Sequence, residues 1–88
     1  SKILSIMAAG RPVVATMNLS GDAPRIIREA GCGYALPPED SLQLSKIILE
    51  LYQNPKMREM MGRNGRKYAE ENFSLQVMEN NIYFHLLK

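Results

Sequence analysis

The chain has 88 residues, of which 45% are hydrophobic and 23% are charged, and its formal net charge is +2. This length allows one small domain at most, and the apolar fraction is too high for a disordered chain. The net charge is too small to indicate nucleic acid or an anionic membrane as a partner. A single cysteine excludes an internal disulfide, and no apolar run approaches the ~20 residues that a membrane-spanning helix needs.

The first half of the chain has the pattern of a βαβ unit preceded by a helix. Apolar residues at helical spacing alternate with two short strand-like runs, the first of them rich in β-branched residues and the second ended by Pro37 and Pro38, and glycines stand where the helices end. Because a helix separates the two predicted strands, we expect the strands to be parallel and adjacent, with a right-handed crossover. The predicted elements are a helix over residues 2–9, the strand Val13–Thr16, a helix over residues 23–30 capped by Asp22, and the strand Gly33–Leu36.

The second half of the chain is predicted to form three helices. Asp40 and Gln43 have the spacing of a capping box at the start of the first. Asn54 is the expected N-cap of the second, with Pro55 at its first helical position. The third is expected over residues 74–88, with an apolar stripe at every fourth position: Met78, Ile82 and Leu86.

This organisation is incomplete for an independent domain. Two short parallel strands do not make a stable sheet alone, since parallel sheets need further strands and helices on both faces. We therefore expect an α/β fold that is one part of a Rossmann-like domain, a βαβ unit followed by three helices. Apolar surface should then be exposed along Val13–Thr16 or along the last stripe, and the isolated chain should self-associate or be marginally stable.

Three stretches of the chain, in this order, resemble one enzyme family. They read SKILSIMAAGRPVVAT at residues 1–16, IIREAGCG at residues 26–33 and MGRNGRKYAEENFS at residues 61–74. Together they resemble the C-terminal part of group 1 (family 4) glycosyltransferases, which have the GT-B fold, and in particular the subgroup whose helix begins Pro-Ser-Lys. The resemblance implies that residues 1–88 are the C-terminal half of a nucleotide-sugar-binding domain. The last helix, over about residues 74–88, would cross back to an N-terminal domain outside this chain.

The resemblance also implies a function. The complete enzyme would be a retaining glycosyltransferase of polysaccharide biosynthesis, which moves a sugar from a nucleotide-diphosphate sugar to an acceptor hydroxyl. No cofactor or metal and no nucleic-acid partner are expected. The expected location is the cytoplasm, with membrane association of the complete enzyme as an alternative. The 88-residue chain would hold part of the donor site, contain no catalytic residue and be inactive alone.

The candidate donor-binding residues lie in two places. At the start of the first helix, Lys2 supplies a charge suited to a diphosphate, although a capped helix end with a solvated lysine is the alternative. Ser5 stands where the resembling enzymes have a ribose-binding glutamate, and a hydroxyl cannot accept the pair of hydrogen bonds that a carboxylate accepts. A second place follows the first strand, at the edge where open α/β sheets bind ligands, with a capped turn as the alternative. The candidates are Ser1, Lys2, Ile3, Ser5, Ser20 and Gly21.

Other reactive or charged residues have simpler interpretations. We expect Cys32 to be a small buried hydrophobe and His85 to pack between helices or lie at the surface. The basic residues from Lys56 to Lys67 are interleaved with acids and predict a solvated helix face, with binding to an anion or a membrane surface as the alternative.

Two other function classes remain open from the sequence. One is a stand-alone helical module that binds a protein partner through its amphipathic helices. The other keeps the GT-B scaffold but has a different chemistry, that of a sugar-nucleotide epimerase or a phosphorylase.

Overall fold

The described part of the chain contains four helices, a parallel strand pair and an antiparallel strand pair. The computed structural model describes the backbone of residues 2–78 and 81–86 and the side chains of residues 2–72. This mixed α/β arrangement is that of a partial Rossmann-like domain. In chain order the elements are α1 (Lys2–Ala8), β1 (Val13–Thr16), α2 (Asp22–Ala30), β2 (Gly33–Leu36), α3 (Ser41–Gln53), α4 (Pro55–Asn72), β3 (Phe73–Met78) and β4 (Asn81–Leu86).

The predicted βαβ unit is present. β1 and β2 are adjacent and parallel, with Val13 opposite Gly33, and α2 connects them and packs against β2. The pairing extends one residue beyond β1, because the N–H of Met17 donates to the carbonyl oxygen of Leu36 at 2.8 Å. The carboxyl ends of the two strands therefore lie at the same edge of the sheet.

Two glycines shape the turn between α2 and β2. Gly31 has a φ of 64°, in the left-handed region that favours glycine, and its N–H donates to the carbonyl oxygen of Arg28 at 3.2 Å. Gly33 lies so close to its partner strand that a Cβ there would stand 1.7 Å from the carbonyl oxygen of Val13. A side chain at position 33 would therefore separate the two strands.

A first core cluster joins α1, β1, α2 and α4. Cys32 lies in it with no exposed surface, as the sequence predicts for a small hydrophobe. Gly65 of α4 packs closely on this cysteine, since a Cβ at position 65 would stand 3.1 Å from the Cys32 Cβ. The buried members of the first core cluster are Met7, Ala8, Val13, Ile27, Cys32 and Ala69.

A second core cluster holds α3 and α4 against β2. Its buried members come from one strand and two helices, and half-buried apolar side chains surround them. Burial of each large aliphatic side chain stabilises the fold by about 1.5–3 kcal/mol. The buried members of the second core cluster are Leu36, Ile47, Leu51 and Met61.

The predicted caps of α3 and α4 are confirmed. Asp40 Oδ1 accepts a hydrogen bond from the N–H of Gln43 at 3.2 Å. Asn54 Oδ1 accepts one from the N–H of Met57 at 3.1 Å. Each bond satisfies a backbone donor that the helix leaves without an internal partner.

The predicted cap of α2 is wrong by one residue. Asp22 is the first helical residue, and Gly21 occupies the N-cap position with extended backbone (φ −90°, ψ −173°) and no side-chain cap. One position inside the helix, the Asp22 carboxylate pairs instead with Arg25 at 3.6 Å. An acidic residue still suits this first turn, where the helix dipole favours negative charge.

The helix predicted over residues 74–88 is also wrong in the described residues. Phe73–Met78 and Asn81–Leu86 are strands that pair antiparallel, with Met78 opposite Asn81. The physical reason is visible in the sequence, because apolar and polar residues alternate from Phe73 to Val77, and the second strand contains Ile82, Tyr83 and Phe84, which are β-branched or aromatic types that favour strands. The chain thus has two helices after the βαβ unit and then this strand pair.

Among the described side chains, most of the large exposed apolar residues lie on α3 and none lies on β1. Val13 is buried, against the expectation for its strand, whereas Leu42 and Tyr52 of α3 are 69% and 78% exposed. Leu49 of the same helix is 55% exposed. The second expected surface, the stripe at Met78, falls outside the described side chains, and self-association of the chain stays a prediction.

Candidate functional site

The candidate residues come from two segments, the first half of α1 and the loop between β1 and α2. The loop follows the carboxyl end of β1, and residues 9–12 connect the end of α1 to the start of that strand. Ile3 of α1 and Met17, the first residue after β1, both pack on the first core cluster. Ligands of open α/β sheets bind outside the carboxyl ends of the strands.

The α1 candidates differ in what they can offer a ligand. Lys2 and Ser5 are exposed, whereas Ile3 is half-buried and packs on the first core cluster. The side chain of Ile3 therefore serves packing, and a ligand could use only its backbone. α1 has seven residues, so the charge of Lys2 is the stronger reason to expect an anion here than the short helix is. Ser1 lies outside the described residues.

The Ser20 hydroxyl forms a local hydrogen bond. Its O–H donates to Asn18 Oδ1 at 2.8 Å, and the Ser20 N–H donates to the same oxygen at 3.0 Å. Asn18 thus shapes the loop between β1 and α2, a role that the sequence analysis missed. An asparagine that precedes a serine by two positions is the available signal, because its side chain can form this type of turn.

Gly21 is exposed at the end of the same loop. A Cβ at this position would meet no atom within 4 Å, and the backbone is extended. Neither space nor conformation therefore requires a glycine in this chain. The position leaves room for a group that approaches the backbone from outside.

A chain of polar contacts connects the start of α2 with α4. Arg25 pairs with Asp22 and donates to Glu29 Oε2 at 3.1 Å. The Tyr68 hydroxyl donates to the same Glu29 oxygen at 3.4 Å. The hydrogen bond and charge of Glu29 raise the pKa of the Arg25 guanidinium. These groups are solvent-exposed, so each pair contributes little to stability.

A cavity of about 330 Å³ lies between α2 and β2. It borders the loop after β1 through Leu19, but it includes none of the six candidate residues. This cavity is therefore separate from the candidate residues. The lining residues are Leu19, Pro24, Ile27, Arg28, Gly33, Tyr34 and Ala35.

Two side chains of α4 bind the C-terminal ends of α1 and α2. The Arg66 guanidinium donates to the carbonyl oxygen of Ala8, the last residue of α1, at 2.6 Å. The Asn64 amide donates to the carbonyl oxygen of Gly31, just after α2, at 3.0 Å. Both bonds satisfy carbonyl groups that a helix leaves without an internal partner.

Arg58 does the same for α3. Its guanidinium donates to the carbonyl oxygens of Leu51 and Tyr52, the latter at 2.8 Å. We call Arg58, Asn64 and Arg66 the α4 clamp, because each donates a hydrogen bond to a carbonyl group at the C-terminal end of one of the three preceding helices. A cation there also interacts favourably with the negative end of the helix dipole.

The basic face predicted over residues 56–67 is therefore solvated only in part. Arg63 fits the prediction, since it forms an exposed ion pair with Glu59 at 3.0 Å. Arg58 and Arg66 do not fit the prediction, because their guanidinium groups bind the backbone of other helices. Sequence alone gives no signal for this difference, which depends on tertiary contacts.

Burial explains the state of the cysteine. Desolvation raises the pKa of the Cys32 thiol, although a backbone hydrogen bond opposes the effect. The thiol is therefore neutral near pH 7, and its role is packing. His85 lies in β4, and its side chain falls outside the described ones.

The described residues show neither a membrane-spanning helix nor a group of metal ligands. No helix among them is long and apolar enough to cross a membrane. In the part of the chain with described side chains, no three His, Cys, Asp or Glu residues are grouped as metal ligands would be.

Comparison with known proteins gives relatives that are much longer than this chain. Spore coat protein SA of Bacillus subtilis is 35% identical over 77 residues, which cover 86% of this chain and 20% of that protein. The GDP-mannose-dependent monoacylated alpha-(1-6)-phosphatidylinositol monomannoside mannosyltransferase of Corynebacterium glutamicum is 35% identical over 75 residues, or 85% of this chain and 19% of that protein. MMP alpha-(1->4)-mannosyltransferase of Mycolicibacterium hassiacum is 34% identical over 71 residues, or 80% and 17%.

The family of the chain follows from a sequence profile that matches most of its residues. The chain spans about a fifth or less of the length of each of these relatives, and no solved structure matches it significantly. The sequence profile described as "Glycosyl transferases group 1" matches residues 1–68, which is most of the chain. The two segments with candidate residues and the whole βαβ unit lie within this match. The chain therefore belongs to the group 1 glycosyltransferase family.

Proposed function

We propose that this chain is the C-terminal half of the nucleotide-sugar-binding domain of a retaining family 4 glycosyltransferase with the GT-B fold. The complete enzyme transfers a sugar from a nucleotide-diphosphate sugar to an acceptor hydroxyl. The observation that carries the proposal is the group 1 match over residues 1–68. The parallel pair of β1 and β2, connected through α2, supports it because such units build Rossmann-like donor domains.

The chemistry of glycosyl transfer requires stabilisation of the departing diphosphate. Positive side chains and backbone N–H groups near the leaving oxygens perform this task. In this chain the exposed ammonium group of Lys2 is the candidate for the diphosphate, and the exposed hydroxyl of Ser5 is the candidate for the ribose. In the loop after β1, the hydroxyl oxygen of Ser20, which can still accept a hydrogen bond, and the exposed backbone of Gly21 are candidates for further donor contacts.

The relatives favour a hexose as the transferred sugar. Two of them are named as mannosyltransferases, and one name specifies GDP-mannose. We therefore propose a hexosyl donor such as GDP-mannose as the first to test. The chain spans only about a fifth of the length of these relatives, so we expect it to offer only one side of a donor cleft. Alone it should bind the donor weakly and transfer no sugar.

A second candidate function is a module that binds a protein partner. The exposed side chains of Leu42, Leu49 and Tyr52 on α3 favour it, since apolar side chains on one helix often mark a contact surface. This alternative predicts no transfer from any nucleotide sugar by the complete protein. It thus differs from the first proposal in a direct assay.

The decisive experiment is an assay of the full-length protein with a panel of nucleotide sugars. We expect release of nucleoside diphosphate that depends on an acceptor, with retained anomeric configuration in the product by NMR. Inversion would contradict the retaining mechanism, and an altered nucleotide sugar without transfer would indicate an epimerase. No turnover with any donor would favour the binding module.

A pair of lysine variants tests the site itself. Lys2→Ala should lower kcat/KM for the donor by roughly ten- to a hundredfold, because a charge-assisted hydrogen bond contributes about 1.5–3 kcal/mol. Lys46→Ala, which removes an exposed lysine from α3, should change it little. Equal activities of the two folded variants would contradict a role of Lys2 in binding the donor.

A further inference from the structure

The position of α1 is set by α4 rather than by α1 itself. A helix of seven residues is too short to be stable in isolation, so its place and direction depend on packing. Its buried residues, Met7 and Ala8, lie at its C-terminal end and belong to the first core cluster. The exposed candidates Lys2 and Ser5 lie at its start and in its middle, and Ile3 and Leu4 between them pack on the same cluster.

Two glycines let α4 approach this buried end closely. A Cβ at Gly65 would stand 3.4 Å from the Cα of Met7, and a Cβ at Gly62 would stand 2.1 Å from the carbonyl oxygen of Gly10. The backbones of α4 and the end of α1 are therefore in direct contact. Such a contact restrains sliding, and the packing of Ile3 and Leu4 on the first core cluster restrains a pivot of α1 in part. A directional bond at the C-terminal end adds a further restraint on its direction.

Arg66 supplies that directional bond. Its Nη1 donates to the carbonyl oxygen of Ala8 at 2.6 Å, and its Nε pairs with Glu70 Oε1 at 3.1 Å. The planar guanidinium is thus fixed by a carboxylate on its own helix while it binds the last residue of α1. A lysine could donate to only one of these partners with comparable geometry.

We infer that Arg66 is a positioning residue for the donor: it fixes the end of α1 and thereby the place of Lys2 and Ser5. The inference rests on the proposed function of those two residues. α1 is ~10 Å long, so a pivot of ~10° about its C-terminal end would move its first residue by ~2 Å. Misplacement of ~1 Å in a binding or reacting group can lower a rate by ~100-fold.

The α4 clamp provides a matched control. Arg58 also donates from α4 to C-terminal carbonyl groups, but those groups belong to α3, which carries no candidate residue. Loss of either arginine should lower the melting temperature by a similar amount. Only the loss of Arg66 should change how the donor is bound.

The test compares variants of the full-length enzyme in donor kinetics and in amide hydrogen exchange. For Arg66→Ala we expect a rise in donor KM of about tenfold or more, while Arg58→Ala should stay within about twofold of the unmodified enzyme. Arg66→Lys should recover part of the loss. Exchange should become faster at the amides of residues 5–9 in Arg66→Ala, but not in Arg58→Ala.

Glu70→Gln is the milder variant if Arg66→Ala does not fold. It removes the ionic partner of the guanidinium from an exposed position and should raise donor KM in the same direction by a smaller factor. Equal effects of Arg66→Ala and Arg58→Ala on donor KM, or unchanged exchange in α1, would overturn the inference.

The Lys2→Ala variant separates the two proposals. If Lys2→Ala weakens donor use and the Arg66 variants do not, only the positioning role is wrong. If Lys2→Ala has no effect, the proposed donor role of α1 is wrong, and the positioning role is lost with it.

Discussion

The carbonyl oxygen of Gly10 lies against the α-carbon of Gly62, so closely that a Cβ at position 62 would stand 2.1 Å from it. Gly10 itself has a φ of 73°, which a glycine adopts without strain. The contact joins the segment after α1 to the middle of α4. It brings together two of the stretches that carry the family resemblance: close packing requires the glycine at position 62, and the backbone conformation favours the one at position 10.

Replacement of Gly62 by alanine should therefore destabilise the fold. The new methyl group would overlap a backbone carbonyl that cannot move without shifting α1, and such overpacking costs about 1–3 kcal/mol. Urea denaturation of the domain that contains this chain would measure the change. Lys67→Ala, at an exposed position of the same helix, should stay within about 0.5 kcal/mol. Equal midpoints for the two variants would argue against the close contact.

The two acidic residues at helix starts should differ in their effect on stability. Asp40→Ala removes a cap bond to the N–H of Gln43 and should lower the free energy of unfolding by about 1 kcal/mol. Asp22→Ala removes only an exposed ion pair with Arg25, which contributes less than about 1 kcal/mol and often nothing measurable. Denaturation of both variants under the same conditions is the measurement. A larger loss for Asp22→Ala would mean that Asp22, not Gly21, caps α2 in solution.

The βαβ unit could be predicted because its signals are local. The run Val13–Thr16 is β-branched and unbroken, and Gly31 stands where α2 must end. The final segment could not be predicted in the same way. Its residues fit a spacing of four through Met78 and Ile82, but they also alternate at a spacing of two. Such short segments are ambiguous by periodicity alone, and here the strand pairing prevails.

The candidate site was predictable only in part. Family resemblance indicated Lys2 and Ser5, and the structure leaves both exposed. The role of Arg66 could not be read from the sequence, because an arginine on the polar face of a helix looks the same whether it meets water or a distant carbonyl. Its partner Ala8 is 58 residues away in the chain. Only tertiary structure reveals such a bond.

The buried thiol should make stability depend on pH in the alkaline range. Burial raises the pKa of Cys32, so the folded thiol stays neutral while the unfolded thiol ionises above pH ~8.5. The contribution of this group is fully present below that pH and is lost as the pH rises, with a limiting slope of about 1.4 kcal/mol per unit. Urea midpoints between pH 7 and pH 10 would measure the trend.

Cys32→Ala is the control for this dependence. The variant should be less stable at pH 7, because it leaves a small cavity in the first core cluster, but it should lose less stability toward pH 10. Thiol reagents should react with unmodified protein only as it unfolds. Rapid modification under native conditions would contradict the burial of this side chain.

Ser5 offers the sharpest test of the ribose contact. In the full-length enzyme, Ser5→Ala should raise donor KM by roughly two- to tenfold, because a neutral hydrogen bond contributes about 0.5–1.5 kcal/mol. Ser45→Ala is the matched control, since its hydroxyl is exposed on α3 and donates to the carbonyl oxygen of Ser41 at 3.0 Å. That variant should leave donor KM unchanged.

The converse variant, Ser5→Glu, should strengthen donor binding. A carboxylate can accept hydrogen bonds from both ribose hydroxyls, whereas a serine hydroxyl makes the weaker, neutral contact. Titration with the donor would show a lower Kd for Ser5→Glu than for the unmodified enzyme, and the difference should disappear with a donor analogue that lacks the ribose hydroxyls. If Ser5→Ala behaves like Ser45→Ala and Ser5→Glu binds no more tightly, the ribose lies elsewhere, and Lys2 alone would remain as the α1 contact with the donor.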